Sequence, residues 1–485
     1  MRNKIKPLLT ILISVIITIF IISAVNSRLV TQGTYEKYND FYCEDFNNYD
    51  VLFVGSSRMA LGVSPIELWK SHGIMSYNLS NYGQLIPVNY WVLKDALKRC
   101  HPQLVVVDIS YVLSDSKVSD PLVNHECFDL MPLSLSKIEA INDLFSPEDR
   151  FEYYFNFPFY HSRWSEVSST FWDSHSSFQK GGNLYSDTDS GDITYLVQEP
   201  YPLPNFEDRI LTETENKKYL REIISLCKSQ DINVCLINCP SYRGVEYQKW
   251  WDSVNDIADE YGVLYLDFNR MEIDTINPLT DYRDEGHLNT SGARRFTWLL
   301  GDELLANFQI DRSHTDKETA LWDNDYSEYK KFKVSEINEI SDLPTYLMTL
   351  NDKDFDIIIN VRSMPTLQDD QVVNMLNNLG VNEIPREESF LIFKNGHYEE
   401  TLPDVNQSYR LKTTIGYFER QNENLSCEDW AYEIYLNDSP LFGIEKNAVE
   451  NAVTRVAVLD SDTHELFNYK VFTFENINII NTYGD

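Results

Sequence analysis

Basic residues are scarce in this chain. Only 41 Lys and Arg stand against 75 Asp and Glu over 485 residues, a net charge of −34. Such a surface lacks the phosphate-neutralising cations on which nucleic-acid binding rests, and it disfavours bare anionic lipid; its simplest meaning is solubility. Cysteine is also sparse. Seven thiols, at 43, 100, 127, 227, 235, 239 and 427, are scattered, odd in number and never spaced C-x-x-C, and the pair Cys235 and Cys239 lies in an apolar run. That spacing fits neither a disulfide framework nor a zinc site. It suits small buried apolar side chains. No cluster of ligating residues points to a metal, and no cofactor is expected.

One long uncharged run stands out. Residues Pro7 to Val25 carry no charge and only four hydroxyls. Nineteen helical residues span roughly 28 Å, enough for a hydrocarbon core of about 30 Å. Arg2, Lys4 and Lys6 precede the run, which predicts a cytoplasmic N-terminus and an outward-facing remainder. A cleaved signal peptide is the rival, but the apolar stretch is long for one and no A-x-A-like site follows. The expectation is a single-pass anchor over residues 1–28 in the cell membrane, with the following domains extracellular. Abundant Asn, Asp, Ile and Tyr with little cysteine suits the outer surface of a Gram-positive bacterium.

Beyond the anchor, apolar β-branched runs alternate with amphipathic stretches. Predicted strands are Val51–Val54, Ser76–Leu79, Leu104–Ile109, Asn233–Asn238 and Val263–Asp267. Predicted helices are Pro65–His72, Pro87–Cys100, Asn216–Ser229, Tyr247–Tyr261 and Ser291–Phe308. This alternation predicts an α/β fold, a parallel sheet covered on both faces in three layers, over 29–310. It breaks between about 113 and 210, where the aromatic run Phe151 to Trp164 falls. An insertion there could form a lid or a wall on which sugar rings stack, although aromatics are also ordinary core. Residues 311–335 are charged and read as a linker. A second unit over 311–485 has a helix at 344–351, a strand at 355–361, a helix at 368–379 and a strand at 389–393. Strands Trp430–Leu436 and Val453–Leu459 follow, predicting a smaller α+β accessory domain.

Two fragments carry the chemistry. Gly55-Ser56-Ser57-Arg58 follows the first strand, and Asp284-Glu285-Gly286-His287 precedes a helix. A serine hydroxyl needs a base to take its proton as it attacks, and a carboxylate orients the imidazole that does so. Ser57, or its neighbour Ser56, with His287 and Asp284 supplies that set. A tetrahedral oxyanion needs fixed N–H donors. The Ser57 amide is one candidate, and the Gly83 amide in Asn81-Tyr82-Gly83-Gln84 is another. Taken singly, Gly-Ser-Ser is a common helix cap and Asp-x-x-His a common surface turn. Their order, and their placement at predicted sheet ends with Gly83 between, favour a site. Arg58, and His161 and Arg163 in the insertion, are candidates to meet substrate, against plain surface or core roles.

These blocks resemble the SGNH/GDSL hydrolase superfamily over roughly 45–308. The resemblance aligns Gly55-Ser56-Ser57 with a Gly-Asp-Ser turn, which selects Ser57 as nucleophile. It matches Gly83 to an oxyanion glycine, and Asp284 and His287 to the closing Asp-x-x-His. In the third block Ser110 stands where an Asn oxyanion donor is expected, and Ser56 replaces the usual Asp. Both departures are more similar to the membrane-anchored branch, DltD-like and alginate-acetylation-type proteins. What that branch implies is an enzyme transferring an acyl group, acetyl or D-alanyl, through an acyl-serine to a cell-surface polysaccharide or teichoic acid, with a membrane-bound O-acyltransferase as partner. The alternatives are a polysaccharide deacetylating esterase and a non-catalytic glycan-binding scaffold. The C-terminal part resembles an interleukin-like EMT inducer domain in Phe355–Val361, Leu376–Val381 and 386–396, with its opening strands placed last, which implies binding and no catalysis.

Overall fold

The computed structural model describes residues 35–43, 48–160, 202–271, 276–278, 280–361, 370–385, 389–404, 407–423, 431–445 and 452–473, with five helical residues between Ile13 and Ile21. Almost all of the expected anchor lies outside these. No helix among the described residues is long and apolar enough to cross a membrane. His161, Arg163 and the rest of 161–201 in the expected insertion also lie outside them. The described chain forms two compact units. The first takes residues up to Tyr160, 202–271 and 297–322; the second takes 276–296 and 323–473. The Asp284–His287 segment thus belongs to the second unit.

The first unit opens with α1 (Tyr35–Cys43) and β1 (Val51–Val54), followed by α2 (Ser57–Gly62), α3 (Pro65–His72), β2 (Ser76–Asn78), α4 (Ile86–Ala96) and β3 (Leu104–Asp108). Helices α5 (Pro121–Phe128), α6 (Leu135–Leu144), α7 (Arg150–Tyr154) and α8 (Phe157–Tyr160) fill the first part of the predicted insertion. Then come α9 (Glu215–Lys228), β4 (Asn233–Asn238), α10 (Val245–Asp252), α11 (Val254–Tyr261) and β5 (Leu264–Asp267). The strands form one sheet in the order β2-β1-β3-β4-β5, parallel throughout. Every residue of β1 and β3 is buried, as a sheet covered on both faces requires. This is the predicted α/β architecture.

Local chemistry sets the helix ends. Ser64 caps α3 by accepting from the Glu67 amide, Pro65 begins it, and Gly73 ends it with φ 65°. The predicted single helix Tyr247–Tyr261 is broken at Ser253. There the Ser253 hydroxyl takes the Trp250 carbonyl and the Asn255 amide takes that of Asp252, acceptors a continuous helix would use itself.

The second unit's described residues begin with a hairpin, β6 (Tyr282–Asp284) and β7 (His287–Leu288), which leads into α12 (Thr290–Asn307). The predicted linker is instead α13 (Asp316–Glu339). Trp322, Tyr326, Tyr329, Lys333 and Ile337 are all buried and recur at helical spacing, a stripe hidden within a charged sequence. Next come α14 (Leu343–Thr349), β8 (Phe355–Val361), α15 (Asp370–Asn378), β9 (Ser389–Lys394), β10 (His397–Pro403), β11 (Tyr409–Thr413), β12 (Gly416–Glu423), β13 (Ala431–Leu436), β14 (Ser439–Glu445), β15 (Ala452–Asp460) and β16 (Leu466–Thr473). A five-stranded antiparallel sheet runs β10-β9-β8-β15-β16, and a four-stranded one runs β11-β12-β13-β14. Ile357 and Ile359 face Leu347, Met375 and Leu376 of the helices. Ile358 between them faces Phe418, Tyr432 and Ile434 of the smaller sheet. The period of two along β8 therefore feeds two cores at once.

Candidate active site

Ser57 opens α2 directly after β1, at the carboxyl edge of the parallel sheet, where α/β folds place ligands. The turn is held by its neighbour strand. The Asp108 carboxylate, at the end of β3, accepts from the Ser56 amide at 3.1 Å and the Ser56 hydroxyl at 2.6 Å. It also accepts from the Ser110 amide at 3.1 Å and the Ser110 hydroxyl at 2.6 and 2.8 Å. Ser56 Oγ in turn caps α2 by accepting from the Arg58 amide at 3.3 Å. The single Ser56 proton is spent on Asp108, so Ser56 serves the turn while Ser57 follows it. Gly55 is needed for this closeness, since a Cβ there would meet the Asp108 Cβ at 2.5 Å and the Met59 Cβ at 2.9 Å.

The second block docks beside the first. The Leu79 amide donates to the Phe53 carbonyl at 2.8 Å and the Asn81 amide to the Gly55 carbonyl at 3.3 Å, extending the β1–β2 pairing past the strand ends. Gly83 lies in the turn that follows, with φ 62°, a conformation glycine adopts without strain. The structure thus gathers the Ser57, Gly83 and Ser110 turns on one sheet edge. Ser110, however, turns both its amide and its hydroxyl proton to Asp108, which leaves it no donor for an oxyanion.

Arg58 is not a surface residue reaching outward. It is 4% exposed, and its Nη1 donates to Ser110 Oγ at 3.1 Å and Asn238 Oδ1 at 3.0 Å. Its guanidinium carbon lies 4.7 Å from the centre of the Trp251 ring, and Trp251 Nε1 donates to the Ser110 carbonyl at 3.3 Å. Asn238 donates on to Asp267 at 2.8 Å, and Asp267 accepts from Gln248 at 2.6 Å. Burial raises Asp267, against the pull of Asn238 and Gln248. A polar chain therefore crosses the ends of β1, β3, β4 and β5. Asp108, Asn238, Asp267 and Trp251 were missed in the sequence. The readable signal was that three successive apolar strands each end on Asp or Asn.

In the second unit, Asp284 and His287 face each other across the β6–β7 hairpin. His287 Nδ1 lies 2.8 and 2.9 Å from the two Asp284 oxygens, and the Gly286 amide donates to Asp284 at 2.6 Å. Burial pushes the Asp284 carboxyl up, but the bonds and charge of His287 and the backbone amides outweigh it and hold it below the ordinary range. The half-exposed Asp284 side chain leaves the pair open to solvent. The hairpin is seated by buried Asp281, which accepts from the Asn277 amide, from Asn378 at 3.2 Å and from Thr280 at 3.2 Å.

The structure brings Asp284 and His287 together, and Ser57 with Gly83, Ser110 and Arg58, each set within its own unit. The described cysteines at 100, 127, 227, 235 and 239 are buried and unbridged. Burial pushes Cys100, Cys127 and Cys227 up to about 12, so none supplies a thiolate at neutral pH. No family model matches the chain, and no curated protein matches it either.

Proposed function

We propose that the chain is a serine acyl-ester enzyme of SGNH type, anchored to the membrane and facing outward. Ser57 attacks an acyl carbonyl, His287 takes and returns the proton through Nε2, and Asp284 holds the imidazole. The observation that carries this reading is the Asp284–His287 pair. A carboxylate on Nδ1 fixes the tautomer with Nε2 as the base and steadies the imidazolium. The commitment of the Ser56 proton to Asp108 supports Ser57 as the nucleophile. In the first step the Ser57 oxygen bonds the acyl carbon, its proton passes to His287, and the leaving group departs with that proton. In the second step a polysaccharide hydroxyl replaces the leaving group and Ser57 is restored.

Transfer is favoured over hydrolysis by the apolar N-terminal run with its basic flank, which would keep the enzyme near a membrane-bound acyl donor such as an O-acyltransferase partner. The exposed rings of Phe151, Tyr154 and Phe155 offer faces on which sugars stack. The test is turnover of p-nitrophenyl acetate by the full chain, with and without a glycan acceptor, beside Ser57→Ala. We expect acetyl-Ser57 in the intact mass, faster turnover with acceptor, and neither in the variant. Full turnover by Ser57→Ala would refute the serine mechanism, and fast turnover indifferent to glycan would make the enzyme an esterase.

A further inference from the structure

The turn that carries Gly83 is gripped by two sets of partners. The Leu79 and Asn81 amides donate to the Phe53 and Gly55 carbonyls, which ties the turn to the backbone just ahead of Ser57. In extended chain the amide and the carbonyl of one residue point to opposite edges, so the carbonyls here need partners other than β1. Helix α1 supplies them. Lys37 Nζ donates to the Ser80 carbonyl, and the Tyr38 hydroxyl lies 3.0 Å from the Leu79 carbonyl and 2.8 Å from Gln84 Oε1. From α5, Glu126 accepts from Asn81 Nδ2 at 2.7 Å. Leu79, Ser80, Asn81 and Gln84 are buried, whereas Tyr82 and Gly83 at the tip are only half-buried. The shoulders of the turn are thus fixed and its tip is accessible. Helix α1 is itself fixed to β2, because the Tyr77 hydroxyl donates to the Lys37 carbonyl at 2.5 Å and the Phe41 and Tyr77 rings lie 5.0 Å apart. A lysine is a costly donor in this place. Burial pulls the Lys37 ammonium down to about 8, against the opposing influence of Cys127 and Glu126. A carbonyl alone needs only a neutral donor, and ionisable groups so perturbed concentrate at functional sites.

Resting on the serine mechanism proposed above, with the Gly83 amide as an oxyanion donor, we infer that Lys37 and Tyr38 are positioning residues that hold the Gly83 tip in place for catalysis. As the Ser57 oxygen bonds the carbonyl carbon, the C=O electron pair moves onto the carbonyl oxygen, and that anion accepts from the Gly83 amide. When the pair returns to re-form the carbonyl, the leaving group departs with the proton held by His287. Neither Lys37 nor Tyr38 touches the substrate. They act through the Leu79 and Ser80 carbonyls and the Gln84 side chain. The helix that follows the apolar run Pro7–Val25 in sequence is then a working part of the serine site rather than a tether.

The test uses the full chain with p-nitrophenyl acetate as substrate and an alkylboronic acid as a tetrahedral-anion mimic. Tyr38→Phe keeps the ring and removes only the hydroxyl. Lys37→Met keeps the stem and removes the donor. Tyr42→Phe is the control, a hydroxyl on the same helix that makes no hydrogen bond to the turn. We expect Tyr38→Phe and Lys37→Met each to lose about 10- to 100-fold in kcat with KM little changed, well below their melting temperatures, and Tyr42→Phe to match the wild type. Boronate affinity should weaken in step with kcat/KM across these proteins, a proportionality that loosened packing alone would not produce. Should Lys37→Met fail to fold, Tyr38→Phe gives the same comparison. The proposal is overturned if kcat is unchanged in Tyr38→Phe and Lys37→Met while Ser57→Ala is dead, which leaves the serine mechanism standing. It is equally overturned if Tyr42→Phe loses as much as Tyr38→Phe, or if kcat falls with boronate affinity intact, for then α1 does not act on the oxyanion. Turnover retained by Ser57→Ala, or a wild type that neither turns over nor binds boronate, overturns both readings together.

Discussion

Asp284 feels two opposed influences, burial that favours its neutral form and His287 with the Gly286 amide that favour its charge, and the second prevails. Because its folded value lies below the free-chain 3.8, the carboxylate stays ionised at any pH above that value. An acid limb of activity above 3.8 should therefore not belong to Asp284. A limb that follows Asp284, moving when only this residue is changed to a weaker acid mimic, would contradict that. Asp284→Asn keeps the shape and an oxygen for the Gly286 amide, yet it offers Nδ1 a neutral partner and permits the wrong tautomer. A loss of about 10²- to 10⁴-fold in kcat is expected, with an unchanged melting temperature because the side chain is half-exposed. Steady-state kinetics at several pH values decides both points.

Among the elements, the β1–α2 turn depends on one missing methyl group. Gly55→Ala would set a Cβ 2.5 Å from the Asp108 Cβ, so β1 and β3 must part or the Asp108 side chain must swing away from Ser56 and Ser110. Either costs about 1–3 kcal/mol by the usual scale of overpacking. Chemical denaturation should show that loss together with falling activity; full stability and activity would mean the turn is softer than its packing implies. The same elements show what sequence reveals. The parallel sheet was legible chiefly because β1, β3 and β4 carry short apolar runs buried on both faces, and α3 because Ser64, Pro65 and Gly73 punctuate it. Strands β10, β11, β12, β14 and β16 were not, since polar residues occupy much of their outward faces and hydrophobicity alone gives them no outline. Their readable signals were turns. Asn395-Gly396 and Asn437-Asp438 both take positive φ at two successive residues, as tight hairpins require. In the candidate site the serine and the Asp-x-x-His pair were legible as motifs. Asp108 and Asn238 were not, because a polar residue ending a strand gains its meaning only from what the neighbouring strand ends on.

Over the whole molecule, acid acts in two opposite ways. Protonating surface carboxylates first relieves the self-repulsion of a net charge of −34. Deeper acid then attacks the second unit at one buried cluster. There Lys333 lies 2.8 Å from Asp352 and 2.6 Å from Asp354, Arg294 lies 3.2 Å from Asp352, and Tyr326 donates to Asp354. Burial alone would raise Asp354, but Lys333, Tyr326 and Lys330 bring it down to about 2. A folded value below the free-chain 3.8 means that folding favours the ionised form, so the contribution is complete above 3.8 and is lost as the pH falls from there to about 2. It amounts to roughly 2 kcal/mol. Removing the cation should hurt far more than removing the charge it serves. Lys333→Met takes from buried Asp354 its nearest cation and leaves Asp352 with Arg294, and should cost about 3–5 kcal/mol at neutral pH. It should also reverse the sign of the acid response, since unpaired buried carboxylates gain by taking up protons. Amide exchange on β8 and β15, corrected for the intrinsic pH dependence of exchange, reads this directly. Wild-type protection should fall only below 3.8, while in Lys333→Met it should rise on mild acidification. Parallel curves for the two proteins would show that the cluster contributes nothing to the acid stability of the second unit.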